Sequence, residues 1–318
     1  MYILYFTSVV TGIIFGIGAV GLGIIYRYLK FPDFTTIVSL SIGSAVMAVV
    51  SVSPTSILLA ILLSILAGGF LEVNEILAGI ITSVGALSII YLITNNQAIV
   101  PSSDTVKIIF NKLLSSKFSY WNIVIIGFIG LLISFLVSRI FNTKYGLYIL
   151  GMLGTRNYLN HRHRNKEKAT LIILLMGNSI IGFAGSILTI QNGNFNISGT
   201  PDFLVTALSG YVLASFLINI LSGEKSFHHF QKENKPSGKI HFKVIHLLQK
   251  TLNKNDEEPN KIFCFFIFII IGTVIVNLIF QHIDSNYSDD NRVSYLYKAG
   301  IFILIISIGK LEKIIANK

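Results

Sequence analysis

The chain has 318 residues, of which 53% are hydrophobic and only 13% are charged, with 25 Lys and Arg residues against 15 Asp and Glu residues. Soluble domains contain about 25% charged residues, so this composition excludes an ordinary soluble domain and predicts an all-α polytopic membrane protein. The net charge of +10 does not indicate nucleic-acid binding, because the basic residues lie beside apolar segments and no nucleic-acid recognition motif accompanies them.

Nine apolar segments come close to the roughly 20 residues that a helix needs to cross a bilayer. They cover residues 6–26, 36–53, 55–71, 76–94, 121–138, 169–190, 203–221, 262–281 and 296–311. We therefore predict eight or nine transmembrane helices. The second and third segments are short and are separated only around Pro54, and the short ninth segment contains Lys298. One of these is expected to be broken or re-entrant, which is tolerated where its backbone is buried in protein.

The distribution of basic residues predicts the orientation, because cytoplasmic loops are enriched in Lys and Arg. Segments 27–33, 139–168, 222–261 and 310–318 hold 2, 7, 8 and 3 of the 25 basic residues and are placed in the cytoplasm. Segments 95–120, 191–202 and 282–298 are placed outside. The N-terminus is then outside and the C-terminus inside; a re-entrant segment would move the N-terminus to the inner side.

No Asp, Glu, Lys, Arg or His lies near the middle of a predicted span. Proton-driven and ion-driven transporters usually carry such residues, and an intramembrane hydrolase needs a base. The sequence therefore argues against all three and predicts no catalytic residue, no metal site and no cofactor. The paired histidines His161 and His163, and His228 and His229, are interpreted as solvated loop residues, because a structural zinc site usually has four ligands.

Small residues within the spans have two interpretations. Gly12 and Gly16 form a G-x-x-x-G pair, which lets helices approach closely either inside one chain, the favoured interpretation, or between two copies. The candidate residues for lining a solute path are Thr35, Thr36, Ser39, Ser41, Thr82, Ser83, Asn178 and Ser179. The alternative for each is a hydrogen bond between helices.

Four stretches of the sequence carry more specific information. They are Phe31-Pro32-Asp33-Phe34-Thr35-Thr36 after the first span, the turn 72–80 with Asn74, Leu77, Ala78, Gly79 and Ile80, the loop 146–168, and the sixth span with Asn178, Gly185, Ser186, Gln191 and Gly193. In this order they resemble the permease subunits of ATP-binding-cassette importers in the branched-chain amino-acid and ribose permease superfamily. The most similar branch is the tryptophan/tyrosine-type permeases. The resemblance covers residues 1–227 and, more weakly, 262–310.

The resemblance implies a permease subunit in a bacterial inner membrane that forms a path for an amino acid or a similar small solute. It implies a second permease copy as a homodimer, two separate ATPase subunits and an external solute-binding protein. The chain has no G-x-x-x-x-G-K-[ST] phosphate-binding loop, so ATP hydrolysis is expected in a partner chain. The alternatives from other classes are a secondary transporter and a non-catalytic membrane scaffold.

The predicted organisation is a transmembrane core at 1–227 with a coupling loop at about 142–168, a cytoplasmic insertion at 228–260 and C-terminal transmembrane helices at 261–318. The resemblance implies that the ATPase is contacted by Gly154, Thr155, Arg156, Asn157 and Tyr158. Family members usually have an acidic residue before this Asn and a Pro after it, where the chain has Arg156 and Tyr158. The alternative is therefore a loop that is basic only because it is cytoplasmic.

The insertion contains one segment with apolar residues at helical spacing, Ile240 to Leu248, with Lys243 between them. This pattern predicts an amphipathic helix that lies on the inner membrane surface. The alternative is a contact with a partner protein.

Overall fold

The structure is a computed structural model that describes residues 2–29, 35–50, 76–102, 120–146, 148–149, 163–197, 200–222, 258–286, 294, 296–305 and 307. Four helical segments in these ranges are long and apolar enough to cross a membrane: Tyr5–Leu29, Trp121–Phe141, Lys168–Asn192 and Ile262–Asn286. These segments confirm a helical protein suited to a membrane. The count of eight or nine spans stays a prediction. The predicted span 55–71 and residues 228–257 of the predicted insertion lie outside the described residues, whereas the last three residues of that insertion, 258–260, are helical.

The described residues form eight helices of ten or more residues and two short strands. In chain order these are α1 Tyr2–Leu29, α2 Thr35–Val50, α3 Ile76–Ile93, β1 Ile99–Pro101, α4 Tyr120–Phe141, α5 His163–Asn192, β2 Asn194–Asn196, α6 Thr200–Ser222, α7 Glu258–Asn286 and α8 Leu296–Ile305. Each helix coincides in large part with one predicted apolar segment. Helices α5 and α7 begin several residues earlier than predicted, because a helix can continue into its polar flank beyond the membrane.

Helix α1 occupies the centre of the bundle and packs against α4, α5, α6 and α7. Within its most apolar stretch 89% of the residues are buried inside the protein, compared with 28% in α4. Small residues on α1 allow this close packing: a Cβ added to Gly16 would lie 2.9 Å from the Cα of Ile270, and one added to Gly12 would lie 3.0 Å from the Cα of Val274. The G-x-x-x-G pair therefore faces α7 of the same chain, as the internal-packing interpretation expects.

Helices α2 and α5 form a second close contact. A Cβ added to Gly43 would overlap the backbone of Gly182, and one added to Gly185 would overlap the carbonyl oxygen of Leu40. The approach places polar atoms of the two helices within hydrogen-bond distance, and the Ser44 hydroxyl donates to the carbonyl oxygen of Gly185 at 2.8 Å. Only glycine at these positions permits such an approach.

A two-stranded antiparallel ribbon departs from the all-α prediction. Strands β1 and β2 pair with Val100 opposite Phe195. Gly193 ends α5 in the left-handed region, at φ 69°, and its N–H donates to the carbonyl oxygen of Thr189 at 2.9 Å. This is a common way to end a helix. The sequence does not indicate this ribbon, because strands of three residues are too short to give an alternating pattern.

The end of the bundle that carries this ribbon, here called the ribbon end, unites all three segments that the charge distribution places outside. The ribbon joins segments 95–120 and 191–202, and Lys298 of segment 282–298 is ion-paired with Asp202.

At the opposite end, residues within or next to predicted cytoplasmic segments meet. The rings of Tyr28 and Phe141 have centroids 4.8 Å apart, and the Arg27 guanidinium lies 4.8 Å from the ring centroid of Phe265. The grouping agrees with the predicted alternation of sides, although the membrane side that each end faces stays a prediction.

Candidate functional site

A polar cavity of about 290 Å³ lies at the ribbon end, between α1, α5, α6 and α7. Helix α1 contributes Ser8 and Thr11, α5 contributes Thr189 and Asn192, and β2 contributes Asn194 and Asn196. Side chains at i and i+4 of a helix share one face, so Thr7, Thr11 and Phe15 of α1 all reach the same wall. The volume is at the lower limit of the roughly 300–1,000 Å³ of small-molecule sites.

Lys298 lies at the edge of this cavity in an ionic cluster with two aspartates. Its Nζ is 2.8 Å from Oδ2 of Asp284 and 3.8 Å from Oδ2 of Asp202, and only 8% of the Lys298 residue is exposed. The Ser294 hydroxyl also donates to Asp284. A buried ammonium group requires such partners. The cluster therefore links the start of α6, the end of α7 and the start of α8. It has a net charge of −1 when Lys298 and both aspartates are ionised.

The two carboxylates of the cluster are not equivalent. Asp202 lies in the first turn of α6, before the apolar stretch 203–221. Burial raises the pKa of its carboxyl group, the Lys298 charge lowers this pKa, and the Asp284 charge raises it again, with a net upward shift. Asp202 has the longer of the two contacts with Lys298, so its charge is the less completely neutralised within the cavity.

Hydrogen bonds between helices hold the cavity walls in place. The Asn277 side-chain amide donates to the Ser8 carbonyl oxygen at 2.8 Å and to the Ser8 hydroxyl at 3.1 Å, which joins α7 to α1. The Thr189 hydroxyl donates to the carbonyl oxygen of Ser44 at 3.0 Å, which joins α5 to α2. Because these bonds satisfy buried polar atoms, they fix the shape of the walls.

The residues predicted to line a solute path lie between helices, away from this cavity. Thr35, Thr36, Ser39 and Asn178 are fully buried, and Ser179 is half-buried. The Asn178 amide lies 3.4 Å from the Thr35 hydroxyl, and the Ser39 hydroxyl donates to the Thr35 carbonyl oxygen at 3.1 Å. Within one chain the contact between Asn178 and Thr35 joins α5 to α2 and matches the alternative of interhelical hydrogen bonding, whereas the Ser39 hydrogen bond lies within α2. Path lining stays a prediction. The side-chain surroundings of Thr82 and Ser83 are outside the described part of the structure.

The coupling residues Gly154 to Tyr158 lie outside the described residues, but the helix that follows them is described. Helix α5 begins at His163, runs for 30 residues without interruption and ends at Asn192 in the cavity wall. At 1.5 Å per residue its length is about 45 Å. One helix therefore connects the predicted coupling loop with the cavity.

Sequence reasoning missed the residues that form this cavity, above all Asp202, Asn277, Asp284 and Lys298. The available signals were isolated: a lysine within an apolar segment, an asparagine within another, and two aspartates at segment ends. Their spatial proximity could not be derived, because they come from three helices whose packing the sequence does not specify.

In the described ranges, no group of three or more His, Cys, Asp or Glu residues could hold a metal ion. No protein-family model, no curated protein and no solved structure matches this chain.

Proposed function

We propose that the chain is the permease subunit of an ATP-binding-cassette importer that moves a small polar solute across a bacterial inner membrane. The observation that carries this proposal is the continuity of α5, which extends from the predicted coupling loop to the wall of a polar cavity. A transporter driven by separate ATPases needs a rigid element that transmits movement from a cytoplasmic loop to the solute site.

The contacts of α5 suit such a role. Gly177 packs against Gly21 of α1, and Gly182 and Gly185 pack against α2. Densely packed helices move as rigid bodies rather than deform continuously. Movement of the loop 142–168 would therefore be passed through α5 to its cavity residues and to β2, which follows α5 directly.

The partners follow from the same proposal. Two ATPase subunits bind residues 154–158 of the coupling loop, a second copy of the permease completes the path, and an external solute-binding protein delivers an amino acid or a similar solute. The outer face of α4 suits contact with lipid, because Phe128, Leu132, Phe135 and Leu136 are exposed there.

The test is ATP hydrolysis by the candidate ATPase with the permease in lipid discs. Arg156→Glu and Asn157→Ala should weaken both ATPase binding and the stimulated hydrolysis. Lys144→Glu is the matched control, because it reverses a charge at an exposed residue of the same loop that lies outside the proposed contact residues Gly154 to Tyr158, and it should change neither. Absence of ATPase binding by a folded permease, or equal loss with Lys144→Glu, would contradict the proposal.

A secondary transporter is the second candidate, and the ionic cluster favours it. The sequence has no Asp, Glu, Lys, Arg or His near the middle of a predicted span, but at the ribbon end the buried Lys298 contacts the half-buried Asp202 and Asp284. Buried ionisable groups are common in proton relays and coupling sites. Uptake into vesicles that contain only this chain, driven by an ion gradient and abolished by Asp284→Asn, would select this candidate over the importer.

A further inference from the structure

The ribbon-end cavity combines a negative charge with many neutral hydrogen-bonding groups. Its ionisable members among the described residues are Asp202, Asp284 and Lys298, which sum to −1 when ionised. The hydroxyl and amide groups come from α1, α2, α5, β2, α6 and α7, and three phenylalanine rings and Leu188 complete the lining.

We propose that this cavity binds a small solute that carries an ammonium group together with hydroxyl or amide groups. The inference deepens the proposed transport function and rests on it for the role of this solute as cargo. The ammonium group of the solute binds at the carboxylate of Asp202, and its neutral polar groups bind the asparagine and threonine side chains of the walls.

The charge balance favours a cation over an anion. The only ammonium group that lines the cavity in the described ranges is that of Lys298, and Asp284 holds it at 2.8 Å. An anion would have to compete with that contact and would also face two carboxylates. A cation meets Asp202, which is 3.8 Å from Lys298 and has 43% of its side chain exposed, so its carboxylate can accept a second partner. A hydrogen bond between an ammonium and a carboxylate is about twice as strong as one between neutral groups.

The walls favour a solute with neutral polar groups as well. Asn192, Asn194 and Asn196 follow one another around the end of α5 and all line the cavity. Side-chain amides both donate and accept hydrogen bonds, as do hydroxyl groups of a solute. The volume of about 290 Å³ limits the ligand to a small molecule.

The experiment uses three probes of similar shape and different charge: glucosamine, glucose and glucuronate. Binding of each to the purified full chain in lipid discs, without ATPase and at neutral pH, is measured by calorimetry. We expect glucosamine to bind about tenfold more tightly than glucose, because of one charge-assisted hydrogen bond, and glucuronate to bind more weakly than glucose. Equal or tighter binding of glucose or glucuronate, or no binding of glucosamine at millimolar concentration, would overturn the proposal.

Two variants test the assigned residue. Asp202→Asn keeps the shape of the side chain and removes its charge, so it should lower glucosamine affinity about tenfold and leave glucose affinity unchanged. Lys298→Met removes the competing cation and should raise glucosamine affinity. If glucosamine affinity is unchanged in Asp202→Asn, or falls in Lys298→Met, the assignment is wrong. These measurements need no ATPase, so loss of coupling and loss of binding are distinguished.

Discussion

Replacement of Gly43 by alanine tests the contact between α2 and α5 on which the proposed movement depends. The new methyl group would overlap backbone atoms of Gly182, and backbone atoms cannot rotate away as a flexible side chain can. The two helices would have to separate, which would also weaken the hydrogen bond from Ser44 to the Gly185 carbonyl oxygen. We expect Gly43→Ala to lower the thermal stability of the protein.

The magnitude follows from two opposing contributions. Alanine in place of glycine within a helix stabilises by about 1 kcal/mol, whereas an extra methyl group in a tightly packed interior destabilises by about 1–3 kcal/mol. Because the overlapped atoms belong to the backbone, we expect the upper part of that range and a net loss of about 1–2 kcal/mol in the free energy of unfolding. Each kcal/mol corresponds to about 2–4 °C in Tm for chains of 150–250 residues.

The matched control is Gly127→Ala on α4, because a Cβ at Gly127 would meet no atom within 4 Å. This control has the same gain in helix propensity without the overlap, so the difference between the two variants isolates the packing cost. Both would be heated in detergent and the folded fraction measured by size-exclusion chromatography. Equal Tm values for the two variants would refute the close approach of α2 and α5.

Three further predictions concern the ionic cluster and the orientation. Lys298→Met should lower the free energy of unfolding by about 1–3 kcal/mol. This is less than the loss of about 3–5 kcal/mol typical of breaking a fully buried ion pair, because the carboxylate partners of Lys298 are about two-fifths exposed. An unchanged Tm would contradict this prediction. Glucosamine affinity should fall as pH decreases, because a protonated Asp202 has no charge. Because the pKa of Asp202 is raised, the midpoint of this fall in affinity should lie at a higher pH than for an ordinary aspartate. A midpoint at or below that of a free aspartate would be evidence against the assignment. In a Cys264→Ala background, a membrane-impermeant maleimide should label Asn196→Cys from outside intact cells and Tyr145→Cys only after permeabilisation, and the reverse pattern would invert the predicted orientation.

The sequence alone determined the class of the protein and the approximate position of its described helices. A helix that crosses a bilayer must satisfy its backbone hydrogen bonds internally and present about 20 apolar residues to lipid, so length and hydropathy are sufficient for its detection. The alternation of basic and less basic loops likewise grouped segments that the structure brings together at the ribbon end. Such patterns are local properties of the chain.

The tertiary structure decided which residues form the cavity. By hydropathy both α1 and α4 are candidate membrane spans, yet α1 is central in the bundle and α4 is peripheral. The glycines on α1 allow other helices to pack closely against it. Asp202 and Lys298 are separated along the sequence by two helices and the segment between them, and only the packing of α6, α7 and α8 brings them together. Sequence patterns describe which side of a helix is apolar. Which helix packs beside it depends on the shapes of many side chains at once. The ionic cluster is therefore visible only in the folded molecule.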